Sequence, residues 1–374
     1  MGKRALVIIL DSVGCGGAPD ASTYGDEGAD TLGHLFSGIP GLQLPNLDLL
    51  GLARVLGREP VVPCLGNSSA FRLTERSAGK DTTTGHWELM GFVLDEPFYT
   101  CEKFPNSFLD ALEKSCGTGF LGNKVASGTE ILKELGEEHV RTGKPILYTS
   151  ADSVLQIAAH EQFYGLGRLL DDCKTARILL GAHGLRVGRV IARPFSGKDA
   201  TSFRRTKHRH DYSLTPGETV LDRLKSNGIR VIGIGKISDI FAGKGISESH
   251  PTTGNAEGMQ MISSLWDEPA LCDRLFFANL VDFDMLYGHR RDPKGYAACL
   301  MEFDAWLGVF LGKISAEDLL IITADHGNDP YHSGTDHTRE QVPCLVISSE
   351  HFRIGVSYDF AEVGRLVENY FTKS

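Results

Sequence analysis

Five short apolar runs, each ending near a glycine or an acid, constrain this chain more than anything else in it. They are ALVIIL (5–10), VIGIG (231–235), FFANLV (276–281), LLIITA (319–324) and PCLVIS (343–348). Each is continuous rather than alternating, and rich in Ile, Val and Leu. A strand with that pattern has both faces buried, the mark of a parallel sheet covered by helices. Helical patterns fall between and after the runs: GETVLDRLKSNG (217–228), AEGMQMISSLW (256–266), GYAACLMEFDAWLGVFLG (295–312) and FAEVGRLVENYF (360–371). Strand and helix in alternation predict an α/β core with a parallel sheet flanked by helices.

The alternation is interrupted. After the first run it resumes only near residue 217, and the stretch between has helices and strands of its own. NSFLDALEKSC, SGTEILKELGEEHVRTG and GLGRLLDDCKTARILLG read as helices, PILYTS and RVGRVIARPF as strands. No Pro/Ser/Gly-rich joint marks a fusion, so the expected organisation is an insertion. A core formed by 1–97 and 215–374 would be interrupted by an α+β domain over 98–214.

Composition excludes several classes. A net charge of −10 argues against a general nucleic-acid binder, which carries a basic balance. ALVIIL is too short for the apolar segment of a signal peptide, and no window approaches eighteen apolar residues. The eight cysteines are scattered without CxxC or framework spacing, as expected of reduced thiols in a cytoplasmic protein.

Three apolar runs lead into acids: Asp11, Asp284 and Asp325. The carboxyl edge of a parallel sheet is where ligands bind. Three unpaired acids there would repel one another, so a shared cation is the economical explanation. His289, His326 and His337 lie within a few residues of these acids or their loops. Mixed carboxylate and imidazole ligands suit borderline divalent metals. Six such ligands exceed the needs of one catalytic ion and suit two ions about 4 Å apart, the arrangement that clamps a phosphoryl displacement.

The stretch AGKDTTTGHWELMG (78–91) then acquires a use. Three β-branched residues beside glycines and a Lys-Asp pair make poor regular structure. A threonine hydroxyl presented on a loop that opens a helix would be activated by a bound metal and by the helix N-terminus. Each element has a plainer reading as well: DFD or ADHG alone is commonly a solvated loop or a cap. His34, His139, His183 and His351 read as surface or packing residues, and His86 and His332 as supports around the site.

Taken together, VIILDSVGCGGAPDA, GKDTTTGHWELMG, YTSADSVLQIAAHE, GRVIARPF, RHDY, GKISDI, NLVDFDMLYGHRRDP and ITADHGNDPYHSGTDHTRE resemble the bacterial phosphopentomutases, a branch of the alkaline phosphatase superfamily. The resemblance runs from residue 7 to about 340 and implies an alkaline-phosphatase-like core with an inserted cap domain. It also implies roles. Asp11, Thr82, Asp325 and His326 would surround one manganese ion, and Asp284, His289 and His337 would hold the other. Thr82 matches the phosphorylated residue. In the cap, Ser150, Asp152, Val154, Arg189 and Ile191 match segments that hold the pentose phosphate, while Arg209 and Lys236 match basic positions near the cleft.

The implied reaction interconverts ribose 1-phosphate and ribose 5-phosphate, and the 2-deoxyribose equivalents. It passes through a phosphothreonine enzyme and a 1,5-bisphosphate, with two Mn²⁺ and glucose 1,6-bisphosphate or ribose 1,5-bisphosphate as activator. Small pentose phosphates are the expected partners, with no nucleic acid, membrane or obligate protein partner. A phosphomonoesterase using the same groups, or a silent phosphosugar-binding module, stays open at this point. A phosphoglycerate mutase is disfavoured because that relative presents a serine at Thr82. The chain ends at ENYFTKS, where members of the resembled family continue; that tail carries none of the ligands.

Overall fold

The computed structural model describes residues 2–150, 153–349 and 358–372. Fourteen strands are described, in two sheets. β1 (Arg4–Leu10) and β2 (Ser68–Thr74) come first. β3 (Leu121–Val125), β4 (Ile146–Thr149), β5 (Val154–His160), β6 (Arg189–Ser196), β7 (Arg204–Arg205) and β8 (His210–Ser213) follow. β9 (Arg230–Ile234), β10 (Glu248–His250), β11 (Arg274–Leu280), β12 (Leu319–Thr323), β13 (Val342–Ile347) and β14 (Tyr358–Asp359) complete the chain.

The chain divides into two compact units, one made of Met1–Glu96 with Pro216–Ser374 and the other of Pro97–Thr215. The first holds an eight-stranded sheet in the order β10-β9-β11-β1-β12-β13-β2-β14. From β10 to β12 every pairing is parallel. β13 runs antiparallel to both β12 and β2, although its sequence reads like the parallel strands. A continuous apolar run reports burial on both faces and says nothing of direction. The chain leaves β12 through the 324–341 loop and returns beside it, which reverses β13.

Every residue of β11 is buried, and in β1 every residue after Arg4. Side chains alternate between faces of a strand, so both faces are covered. Ile8 pairs with Ala278 on one side and Ile322 on the other and has 0% exposure. Ile8→Ala should cost about 2–5 kcal/mol by leaving a cavity that this rigid centre cannot close. Urea unfolding would measure it, and a loss below about 1 kcal/mol would contradict the packing described.

In the second unit the sheet order is β3-β4-β5-β6-β7, with β8 also pairing to β6. The Asn106–Cys116 and Leu166–Ala182 helices bury Phe108, Leu112, Leu169 and Cys173 in one apolar cluster. The Gly128–Thr142 helix puts Ile131 and Leu132 in another, with Phe195 and Phe203. None of the eight cysteines forms a disulfide. Among the described residues no helix is long and apolar enough to cross a membrane.

Candidate metal centre

Sheet order explains why residues so far apart in sequence meet. β11, β1 and β12 are neighbours, so their carboxyl ends lie side by side. Asp11 directly follows β1, Asp284 sits in a wide helical turn (Phe283–Gly288) after β11, and Asp325 and His326 follow β12. His337 comes from the loop that leads back to β13.

Two ligand sets result. One comprises Asp11, Asp325 and His326, the other Asp284, His326 and His337, and within each the donor atoms lie inside 4.8 Å of one another. His326 is common to both. Its Nε2 is 3.3 Å from Asp11 Oδ1 and 3.5 Å from Asp325 Oδ2. His289 joins the second set, with Nε2 3.1 Å from Asp284 Oδ2 and 3.1 Å from His337 Nε2.

The donors fit divalent cations. Asp11 Oδ1 and Asp325 Oδ2 are buried without a well-aligned hydrogen bond, although imidazole nitrogens lie close. Orphaned carboxylate oxygens in an interior are costly unless a cation balances them. Carboxylates and imidazoles in this mixture suit a borderline divalent ion.

Protonation tells the same story. Burial and then the charge of Asp325 push the Asp11 carboxyl above its ordinary value. Burial opposes charge on His326, but Asp325 and Asp11 overcome it and lift the imidazole well above its usual value. At Asp284 burial is likewise outweighed, here by His289 and His337, which hold the carboxyl well below the usual range. His289 is raised, chiefly by its bond to Asp284. The site draws positive charge to itself, as protons where no ion is bound.

Thr82 is the first residue of the Thr82–Leu89 helix, and its Oγ1 lies 3.2 Å from His326 Nε2. Asp81 caps that helix, accepting from Thr83 N at 3.0 Å and Thr84 N at 3.2 Å, and its carboxylate also holds the Thr84 hydroxyl. The three threonines therefore divide the work. Thr84 is buried and engaged, while Thr82 faces the ligands. A Cβ at Gly85 would come 2.0 Å from the Asp325 carbonyl oxygen, so only glycine lets this helix sit directly on the ligand loop.

Of the neighbours around the ligands, the sequence marked His86 as a support, while Asn279 and Asn328 carry no signature. Asn279 donates to Asp11 Oδ2 at 2.9 Å from within β11. His86 is fully buried, with Nδ1 2.8 Å from the Thr82 carbonyl and 3.0 Å from Asp325 Oδ2. Donation to that carbonyl puts the proton on Nδ1 and leaves Nε2 to accept from Asn279, 3.3 Å away. Asn328 donates to Asp284 Oδ1 at 2.7 Å. The ADHGN motif contains Asn328, but nothing in its spacing distinguishes a supporting amide from a loop residue.

The remaining candidates are dispersed. Lys236 is exposed and follows the β9 end of the same sheet edge. In the second unit, Ser150 follows β4 and Val154 opens β5, paired with Arg189 at the start of β6. Ile191 is buried opposite Asp211. Asp211 draws in both arginines, with Arg189 Nη1 at 3.7 Å and Arg209 as a two-pronged fork at 2.7 and 2.6 Å. Asp152 lies outside the described residues.

Comparison with known proteins identifies the family of the chain. The family model described as the metalloenzyme superfamily matches residues 3–372. A phosphopentomutase of Symbiobacterium thermophilum is 53% identical over 349 residues, covering 92% of this chain and 88% of that protein. One from Acetivibrio thermocellus is 50% identical, covering 98% of this chain and 95% of its own. A third, from Syntrophotalea carbinolica, is 50% identical over 99% of this chain and 95% of that protein. With half its residues shared along nearly its whole length, and a metal-suited cluster at the sheet edge, the chain belongs to the phosphopentomutase family of the metalloenzyme superfamily.

Proposed function

We propose that the chain interconverts ribose 1-phosphate and ribose 5-phosphate, and the 2-deoxyribose pair, by way of phosphorylated Thr82 and a 1,5-bisphosphate. The observation that carries this reading is the placement of Thr82 Oγ1, on a helix N-terminus and 3.2 Å from the histidine common to both ligand sets. Asp11, Asp325 and His326 would hold one divalent ion, with Thr82 beside it. Asp284, His289 and His337 would hold the second. Two Mn²⁺ there would lower the pKa of the threonine hydroxyl and balance charge on the transferring phosphoryl group.

The chain's own residues supply position. Asp81 fixes the first turn, and His86 holds the Thr82 carbonyl, so the hydroxyl is presented in one geometry. In each half-cycle one P–O bond breaks and one forms. Phospho-Thr82 gives its phosphoryl group to the free hydroxyl of the bound monophosphate; Thr82 regains a proton as the sugar hydroxyl loses one. The bisphosphate turns, and its other phosphate returns to Thr82. The Pro97–Thr215 unit would act as the cap, with Ser150, Asp152, Val154, Arg189 and Ile191 binding the pentose phosphate and Arg209 and Lys236 adding charge. Such a cap keeps water from the phosphothreonine, which a mutase must protect. Eight unbridged thiols accord with a reducing, cytoplasmic setting.

Fragmentation mass spectrometry after incubation with Mn²⁺ and glucose 1,6-bisphosphate tests the phosphoenzyme. One phosphate on Thr82 is the expected result. Phosphate on Thr83 or Thr84, or none on this helix, would contradict it.

A further inference from the structure

The second ligand set is assembled from three chain segments, and one side chain outside the set touches all of them. Arg291 follows the wide turn that bears Asp284 and His289, and its backbone is left-handed, at φ 53°. That conformation is uncommon for a residue with a side chain, and the surroundings must enforce it. The guanidinium supplies the reason. Its Nε donates to the Gly334 carbonyl at 2.6 Å, its Nη2 to the Asp336 carbonyl at 2.9 Å, and its Nη1 to the Gly288 carbonyl at 3.1 Å. Nη1 also donates to Asn328 Oδ1.

Each of these acceptors leads to a ligand. Between Gly334 and Asp336 lies Thr335, whose carbonyl is 2.7 Å from His289 Nδ1. Three successive carbonyls are thus gripped by Arg291 and His289 in turn, one to three residues before His337. The bond to Thr335 puts the His289 proton on Nδ1 and leaves Nε2 to face Asp284. Asn328, anchored by its Oδ1 on Arg291, points its amide at Asp284 Oδ1, 2.7 Å away. Gly288 makes room for that amide, since a Cβ there would lie 2.8 Å from Asn328 Nδ2. Among the described residues Arg291 donates to three carbonyls and the Asn328 amide oxygen, and not to the Asp284 carboxylate. The carboxylate keeps its charge for a cation, and the arginine acts on orientation.

We propose that Arg291 is the positioning residue of the second cation site, holding Asp284, His289 and His337 in a ligating array through Asn328 and the 334–336 carbonyls. This rests on the two-cation reading above. A lysine cannot replace it, because one ammonium cannot satisfy four acceptors spread around a planar fork.

Calorimetric titration of metal-free protein with Mn²⁺ tests it, with folding checked by circular dichroism. Wild type should take two equivalents. In Arg291→Met and Arg291→Lys the second ion should bind about 10–100-fold more weakly, the usual effect of losing such outer support. The first ion, on Asp11, Asp325 and His326, should keep its affinity, and Arg290→Gln at the exposed neighbour should match wild type. A second ion of wild-type affinity in Arg291→Met would overturn the proposal. So would equal weakening of both ions, which would mean general loosening. A wild-type curve with a single equivalent would overturn the two-cation reading along with it, so the wild-type and variant curves separate the two failures.

Discussion

Thr82→Ala should lose isomerisation by about 10⁶-fold, the scale on which removal of a covalent nucleophile acts, while still binding divalent metal. The hydroxyl of Thr82 meets the candidate ligands through its 3.2 Å approach to His326 Nε2. Alanine keeps the backbone carbonyl that His86 holds and the Asp81 cap on Thr83 and Thr84. Helix, ligand loop and carboxylates should therefore remain in place. The Thr84 hydroxyl offers no substitute, since it is buried and bound to Asp81. Turnover assays and Mn²⁺ titration on the same preparation make the comparison. Wild-type turnover in the variant would refute covalent transfer through this residue.

The second large effect is structural. Arg339 is 2% exposed and pairs with Glu75, also buried, at 2.6 Å. It further donates to the carbonyls of Glu75, Ser77 and Gly79 and to Asp20. From the other side Glu88 accepts from the Arg76 and Ser77 amides and the Ser77 hydroxyl. The loop leading to Thr82 is thus held by its carbonyls from one charged group and by its amides from another. Arg339→Met should destabilise by about 3–5 kcal/mol, because it strands a buried carboxylate. Thermal or urea unfolding measures this. Replacing Glu75 with leucine in the same variant would remove the stranded charge, yet the Ser77 and Gly79 carbonyls would still lack their donor. Recovery should therefore be partial. Full recovery would mean the ion pair alone mattered and that the carbonyl clamp contributes nothing.

Much of the sheet was legible because burial on both faces leaves a dense apolar signature. β1, β9, β11 and β12 stand out as runs, and the acids after three of them pointed to one edge. What the residues could not convey was direction and order. β13 resembles its parallel neighbours but runs the other way, and β2, with a partly alternating pattern, is found beside it only in three dimensions. β7 and β8, at two and four residues, are too short for periodicity to mark them.

The candidate ligands at strand ends were readable for the same reason that they are unusual: acids there have no folding role. Their supports are another matter. Asn279, Asn328, Arg291 and Arg339 act through polar contacts with segments as many as 319 residues away. Such contacts have no period, and an arginine in GHRRDP or HTRE looks like any solvated charge until its acceptors are seen. The shared position of His326 between two ligand sets likewise depends on the lateral spacing of β11, β1 and β12, which a linear pattern does not contain.

The most direct test of the account is a ³¹P NMR time course on ribose 5-phosphate with the protein, Mn²⁺ and a trace of glucose 1,6-bisphosphate. The account predicts a growing ribose 1-phosphate signal with little inorganic phosphate. Inorganic phosphate as the sole product would contradict it: the same threonine and ligands would then serve a hydrolase, and the role given to the inserted unit would be wrong.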